Sequence, residues 1–175
     1  GVYNQLVSAE EKVSSAWAQV QNVYQRRLDL IPNLVETVKG YAAHESQTLE
    51  KVIEARSKIS QMNVSAADLV NNPEALAKFQ TAQRELSGTL SRLMLIAEQY
   101  PNLKADQSFL ALQSQLEGTE NRISVERMRF NDAAREFNTL RRTVPYVFVA
   151  GPSGFKEKAY FESQPGSEKV PGVNF

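Results

Sequence analysis

The sequence contains no cysteine, only one histidine, and equal numbers of basic and acidic residues. Without cysteine the chain can form no disulfide framework, no thiolate nucleophile and no cysteine-ligated zinc site. Because His44 is the single histidine, any catalytic Ser/His/Asp set would have to include it. Twenty Lys and Arg residues balance twenty Asp and Glu residues, so no net field attracts a polyanion. We therefore expect no nucleic-acid partner.

Long apolar runs and phosphate-binding loops are also missing. No stretch approaches the roughly 20 apolar residues that a membrane-spanning helix needs, and the longest candidate, residues 144–155, is broken by Pro145, Gly151 and Pro152. No Gly-rich phosphate loop or nucleophile elbow is present. The chain begins at Gly1 rather than at methionine, so we expect that a segment upstream of Gly1 has been removed.

Four segments carry apolar residues at heptad spacing, in a chain whose 175 residues suit one domain. This pattern predicts an all-α fold, an antiparallel up-down four-helix bundle over residues 1–145, because comparable helices with short joins pack in that way. The predicted helices cover residues 4–28, 30–61, 73–100 and 106–144.

Two joins in this bundle carry clear signals. Asp29 is a candidate N-cap and Pro32 falls in the first turn after it, which predicts a tight reversal near Asp29. The alternative is one long helix that is kinked at Pro32. Asn72, Pro73 and Glu74 supply a capping side chain, a first-turn proline and a first-turn acid, so they predict the start of the third helix.

The composition changes after Pro145. Residues 145–175 hold four of the seven prolines and four of the eight glycines, so they cannot form a long helix. Since disordered tails are usually poor in aromatic residues, the aromatic content predicts an extended tail that packs on the bundle. We expect its aromatic side chains to form a partner surface; the candidates are Tyr146, Phe148, Phe155, Tyr160 and Phe161.

Polar residues interrupt the apolar stripes. Buried charges must be paired, and in bundles they often fix register, so these residues predict an internal structural network. Its members are Arg27, Glu45, Arg56, Gln83, Glu120 and Arg127. Counting from the assumed turns places Glu45 near Trp17 and Leu90, one layer from Glu120.

Two alternatives use the same carboxylates. Glu45 and Glu120 could contribute to a metal site inside a helix bundle, or serve as the acid/base pair of a hydrolase. The first needs further glutamates and a Glu-x-x-His motif, whereas His44 lies off the seam. The second needs a cleft that admits substrate, and both side chains point into a packed seam. We therefore predict no catalytic residue, no bound metal and no cofactor.

Several stretches together resemble the LemA family. They are YNQLV (3–7), AWAQV (16–20), QRRLDLIPNLV (25–35), TVKG (37–40), HE (44–45), EAR (54–56) and LEGTENRI (116–123), with Arg127, Asn131, Asn138 and the Tyr160-Phe161 pair. The likeness covers essentially the whole chain, and its longest stretch is specific.

The resemblance implies a four-helix bundle without an enzymatic activity. Family members usually carry a membrane span or a lipidated cysteine just before the Tyr3-Asn4 pair, which implies a single-pass N-terminal anchor in the bacterial cell envelope, with the bundle facing outward. It also implies a scaffold or adaptor that binds protein partners, such as an envelope protease or TPM-domain proteins. Assembly into a homo-oligomer at the membrane is a further alternative.

Overall fold

The computed structural model describes residues 1–62, 69–143 and 154–162. All regular secondary structure in these ranges is helical, which confirms the predicted all-α class. Five helices lie wholly within them: α1 (Val2–Lys39), α2 (Ser46–Ser60), α3 (Pro73–Ala97), α4 (Pro101–Lys104) and α5 (Gln107–Arg142).

The predicted reversal near Asp29 is wrong. Helix α1 continues for 38 residues through Pro32, and the chain turns only after Lys39, at Gly40. The side chain of Asp29 accepts a hydrogen bond from Gln25 Nε2 within the same helix instead of capping a new one. Proline is tolerated here because the carbonyl that loses its intrahelical donor finds another partner, described below. The alternative of one helix through Pro32 is therefore correct, and α2 is much shorter than expected.

The other helix ends lie close to their predicted positions. Asn72 caps α3 by accepting hydrogen bonds from the backbone N–H groups of Glu74 and Ala75. Asp106 caps α5 by accepting from the N–H of Phe109. Helix α3 ends at Ala97 and a single further turn, α4, precedes α5, which ends at Arg142 rather than at 144.

Helices α1 and α5 pack against each other in opposite directions. Residue numbers rise along α1 as they fall along α5: Lys12 pairs with Glu136 and Arg27 pairs with Glu120. Helix α2 packs mainly on α3, where Lys58 Nζ lies 3.2 Å from Glu85 Oε2. The long pair thus forms the axis of the molecule.

The interior divides into two apolar clusters. The first core contains the second half of α1 together with α2, the later part of α3 and the start of α5, and it is largely aliphatic. The second core contains the first half of α1, the start of α3 and the later part of α5. Its ring contacts centre on Trp17, which lies 5.5 Å from both Phe79 and Phe130.

Residues 154–162, called the tail segment below, complete the second core. The segment has no helical structure after the turn at Gly154. Its residues Phe155, Ala159 and Phe161 are buried in the second core. Gly154 has φ +78°, a left-handed conformation that a side chain would strain. Of the predicted tail aromatics, Tyr146 and Phe148 lie outside the described residues.

Candidate functional site

A buried polar layer separates the two cores. The Arg27 side chain is almost completely buried and donates to Ser87 Oγ at 2.7 Å. Its Nη2 also donates to the backbone and side-chain oxygens of Gln83, at 2.9 and 2.8 Å. Glu120 Oε2 lies 3.5 Å from Arg27 Nη1 and supplies the opposite charge. Three predicted network residues, Arg27, Gln83 and Glu120, therefore meet in one layer.

The charge state of this layer depends on Glu120. Burial raises the pKa of its carboxyl group, and the nearby guanidinium groups of Arg27 and Arg127 oppose that rise. Burial likewise lowers the pKa of Arg27, although a guanidinium keeps its proton in proteins. The layer is thus a paired charge set whose groups face one another, and this suits a structural role.

Arg56 contacts the backbone rather than this layer. Its Nε donates to the carbonyl oxygen of Leu28 at 3.0 Å. That carbonyl is the one that the N–H of residue 32 would occupy in a regular helix, and Pro32 has no N–H. The arginine therefore satisfies the acceptor that proline leaves open, and it ties α2 to the middle of α1.

Glu45 does not join the layer, and its predicted position near Trp17 and Leu90 is wrong. It precedes α2 and accepts a hydrogen bond from Tyr100 Oη at 3.1 Å. Tyr100 lies close to the start of α5 at Gln107, and Glu120 lies about 20 Å further along that helix, so the structure does not bring the two carboxylates together. Among the residues that the structure describes, no three His, Asp or Glu side chains are grouped to hold a metal ion.

The tail segment is held by side-chain amides that bond its main chain. Asn138 donates to the carbonyl oxygen of Lys158 at 2.9 Å and accepts from the N–H of the same residue at 2.7 Å. Asn131 contacts Phe161 in the same two-sided way, at 3.1 and 2.8 Å. Each amide thereby satisfies both polar backbone groups of one residue, as a neighbouring β-strand would.

A third amide repeats this arrangement on α3. Gln80 donates to the carbonyl oxygen of Glu162 at 2.5 Å and accepts from its N–H at 3.3 Å. Arg127 Nη2 donates to the same carbonyl at 2.9 Å, and at the other end Arg141 Nε donates to that of Phe155 at 2.7 Å. Arg127, predicted for the internal network, thus bonds the tail segment.

Lys158 contributes the one buried charge of the described tail residues. Its Nζ donates to Glu10 Oε2 at 2.5 Å and to Asn71 Oδ1 at 2.6 Å, and it lies 4.8 Å from the centre of the Phe137 ring. A buried ammonium group needs such a set of acceptors because desolvation is costly. We call the surface formed by Glu10, Asn71, Gln80, Asn131 and Asn138 the amide groove.

The predicted partner surface is only partly on the outside of the molecule. Phe155 and Phe161 are buried: the ring of Phe161 stacks on Trp17 at 5.9 Å, and that of Phe155 lies 6.1 Å from Phe137. They pack inward because burial of each phenyl group removes apolar surface from water. Tyr160 is 37% exposed, while its hydroxyl oxygen accepts from Asn138.

Sequence reasoning missed the groove residues, in particular Gln80, Asn138 and Lys158. Helical periodicity assigns only apolar residues to the interior, and a buried amide gives no signal in that pattern. One signal was available, since Asn131 and Asn138 lie seven residues apart and directly follow Phe130 and Phe137. That repeat places two amides along the edge of an apolar stripe on α5.

Comparisons with known proteins identify relatives of this chain at the level of the family. The profile of the LemA family matches residues 16–175. The magnetosome protein MamQ of Magnetospirillum gryphiswaldense is 27% identical over 95% of this chain. Protein LemA of Metamycoplasma hominis is 24% identical over 79% of it. The chain spans 66% of the first relative's length and 59% of the second's.

The described helices show no candidate for a bilayer span, since none is both long and apolar enough. The family match covers most of the sequence, from the middle of the first half of α1 onward. The chain belongs to the LemA family.

Proposed function

We propose that this protein is a non-catalytic scaffold of the bacterial envelope, held at the membrane by an N-terminal anchor, and that its helices form one up-and-down four-helix bundle. Its task is to bind protein partners. An envelope protease and TPM-domain proteins are the partner classes that the family resemblance favours. The relatives named after the magnetosome support work at a specialised cell structure, although that name describes them and not this chain.

The observation that carries this proposal is how the polar side chains of the interior are used. Arg27 bonds both Gln83 and Glu120, and the amides of the groove bond a peptide main chain. A hydrolase would need such groups free to act on a substrate, whereas here they hold helices and an extended segment in place. Bonding of an extended main chain is a typical mode of protein recognition.

Exposed apolar side chains supply surface for a partner. On α5, Met128 is 58% exposed and Val125, one turn before it, is 40% exposed. Their three-residue spacing places them on the same face of the helix. Apolar side chains grouped on a surface favour protein contacts because binding removes them from water.

In-cell photo-crosslinking tests the proposal. A photoreactive amino acid replaces Met128 in the full-length, anchored protein, and a matched variant carries it at Gln19, an exposed polar position of α1. We expect distinct protein adducts from the Met128 variant that the Gln19 variant lacks. Membrane fractionation of the same cells checks the anchor. Identical adduct patterns at both positions would contradict the scaffold role at this face.

A further inference from the structure

We propose that the groove between α2 and α3 binds an acidic amphipathic helix of a partner protein. This α2–α3 groove encloses about 380 Å³ and is lined by side chains of both helices. Its lining residues recur at i, i+3, i+4 and i+7 on each helix, beginning at Lys51 on α2 and at Glu85 on α3. That spacing marks one helix face over two turns, so the groove runs along the helices for about 10 Å. The inference goes beyond the α5 face of the proposed function and does not rest on it.

Basic side chains without partners lie at one end of the α2–α3 groove. Lys58, at one end of the α2 lining, pairs with Glu85 at one end of the α3 lining, so the helices run antiparallel and Lys51 and Arg92 share the other end. Within the described part of the chain, neither Lys51 nor Arg92 has an ion pair or a side-chain hydrogen bond. Glu54, one turn from Lys51, leaves an excess of one positive charge at this end. An acidic side chain of a partner is therefore the complementary group.

An exposed leucine extends the α3 wall of the groove. Leu95 is 69% exposed, the largest fraction among the large apolar side chains of the described residues. It follows Gly88 by seven residues and Arg92 by three, so these residues lie on one stripe of α3. A partner that fits this stripe carries an apolar side chain about one turn away from its acidic one. An amphipathic helix presents both kinds of side chain along one face.

Gly88 gives such a helix room to approach. It lies inside α3 with an ordinary helical backbone, and a methyl group at this position would meet no other atom within 4 Å. Neither the backbone conformation nor packing within the described residues therefore requires a glycine, although glycine destabilises a helix interior relative to alanine. Close contact with a partner explains it, because a position without a side chain lets a second backbone come near.

Titration of the 175-residue chain with synthetic helical peptides tests this inference. The probe is an alanine-based peptide of about 15–20 residues, long enough to be helical, with two glutamates four positions apart and a leucine in the next turn. A matched probe carries glutamines in place of the glutamates. We expect the acidic probe to shift the amide NMR signals of residues 51–58 and 85–95, and to bind about tenfold more tightly than the glutamine probe. Unchanged signals at these residues would overturn the inference.

Charge-reversal variants distinguish the groove from general attraction between opposite charges. Lys51→Glu/Arg92→Glu should lose the preference for the acidic probe. Arg26→Glu/Arg122→Glu makes the same change in net charge at exposed positions of α1 and α5, and it should keep the preference. If both double variants retain the preference, or if both lose it, the groove is not the binding site.

A glycine pair tests the shape of the groove separately from its charge. Gly88→Leu fills the groove and should weaken binding of the acidic probe at least about tenfold, while the melting temperature does not fall because the added side chain meets open space. Gly118→Leu is the matched control, since Gly118 is an exposed glycine inside α5 with equally open space and should bind as the native chain does. Equal binding by the two leucine variants would refute a docked helix. The titration involves neither anchor nor cell, so its failure leaves the adducts at Met128 as a separate result.

Discussion

Replacement of Asn138 by leucine tests how much the amide groove contributes to stability. Asn138 is fully buried, and its amide makes both hydrogen bonds to the backbone of Lys158. Leucine has a similar size but leaves that N–H and that carbonyl without partners. Each unsatisfied buried group costs about 1–3 kcal/mol, so the expected loss is about 2–6 kcal/mol in the free energy of unfolding. For a chain of this size the melting temperature should fall by at least about 4 °C.

Urea unfolding and amide hydrogen exchange together provide the assay. Exchange at residues 154–162 distinguishes a docked but strained tail segment from a released one, because release limits the loss to the free energy of docking. Asn121→Leu is the matched control: Asn121 lies on the exposed face of the same helix, where substitutions change stability by only about 0.5 kcal/mol. An unchanged urea midpoint for Asn138→Leu, with unchanged exchange at 154–162, would refute the reasoning.

Three further predictions concern the helices. Burial raises the pKa of Glu120 above its ordinary 4.5, so the stability that its protonated form contributes is complete below that pH and is lost as the pH rises through the folded-state pKa. Glu120→Gln should remove this slope from a plot of melting temperature against pH, and an unaltered slope would contradict the assignment. Asn72→Ala should cost about 1 kcal/mol through loss of the α3 cap, whereas Asn72→Ser should cost little in the same thermal scan. Arg56→Leu should destabilise the native chain more than it destabilises a Pro32→Ala chain, with a coupling of at least about 0.5 kcal/mol in urea titrations; additive effects would show that the two residues act separately.

The apolar stripes were predictable because they depend on spacing alone. Leu34, Val38, Leu86 and Leu116 are all buried, as the heptad pattern requires. The cap at Asn72 also followed from local chemistry, since a side-chain oxygen at the first turn bonds the free N–H groups there. Features whose cause lies within one turn of helix were therefore accessible from the sequence.

The turn between α1 and α2 was not accessible in this way. Asp29 and Pro32 form a locally plausible helix start. The helix nevertheless continues, because the carbonyl of Leu28, which Pro32 leaves without a donor, accepts a hydrogen bond from Arg56, 28 positions later. Once the turn was misplaced by about ten residues, every distance counted from it was displaced, and Glu45 was assigned to the wrong layer. The amide groove was hidden for a related reason, because Asn138 acquires its role only from a segment 20 positions away.

Pro32 also determines how α2 can sit on its neighbour. In a regular helix the backbone groups bond one another, so the interior of α1 would offer a neighbouring helix no free hydrogen-bonding group. Apolar contacts alone do not fix the position of one helix along another. The missing N–H of proline creates a single acceptor at Leu28, at a fixed height on a 38-residue rod. Displacement of α2 by one turn, about 5.4 Å, would leave that oxygen bare. Proline normally ends a helix, but here it leaves a free acceptor that sets the position of another helix.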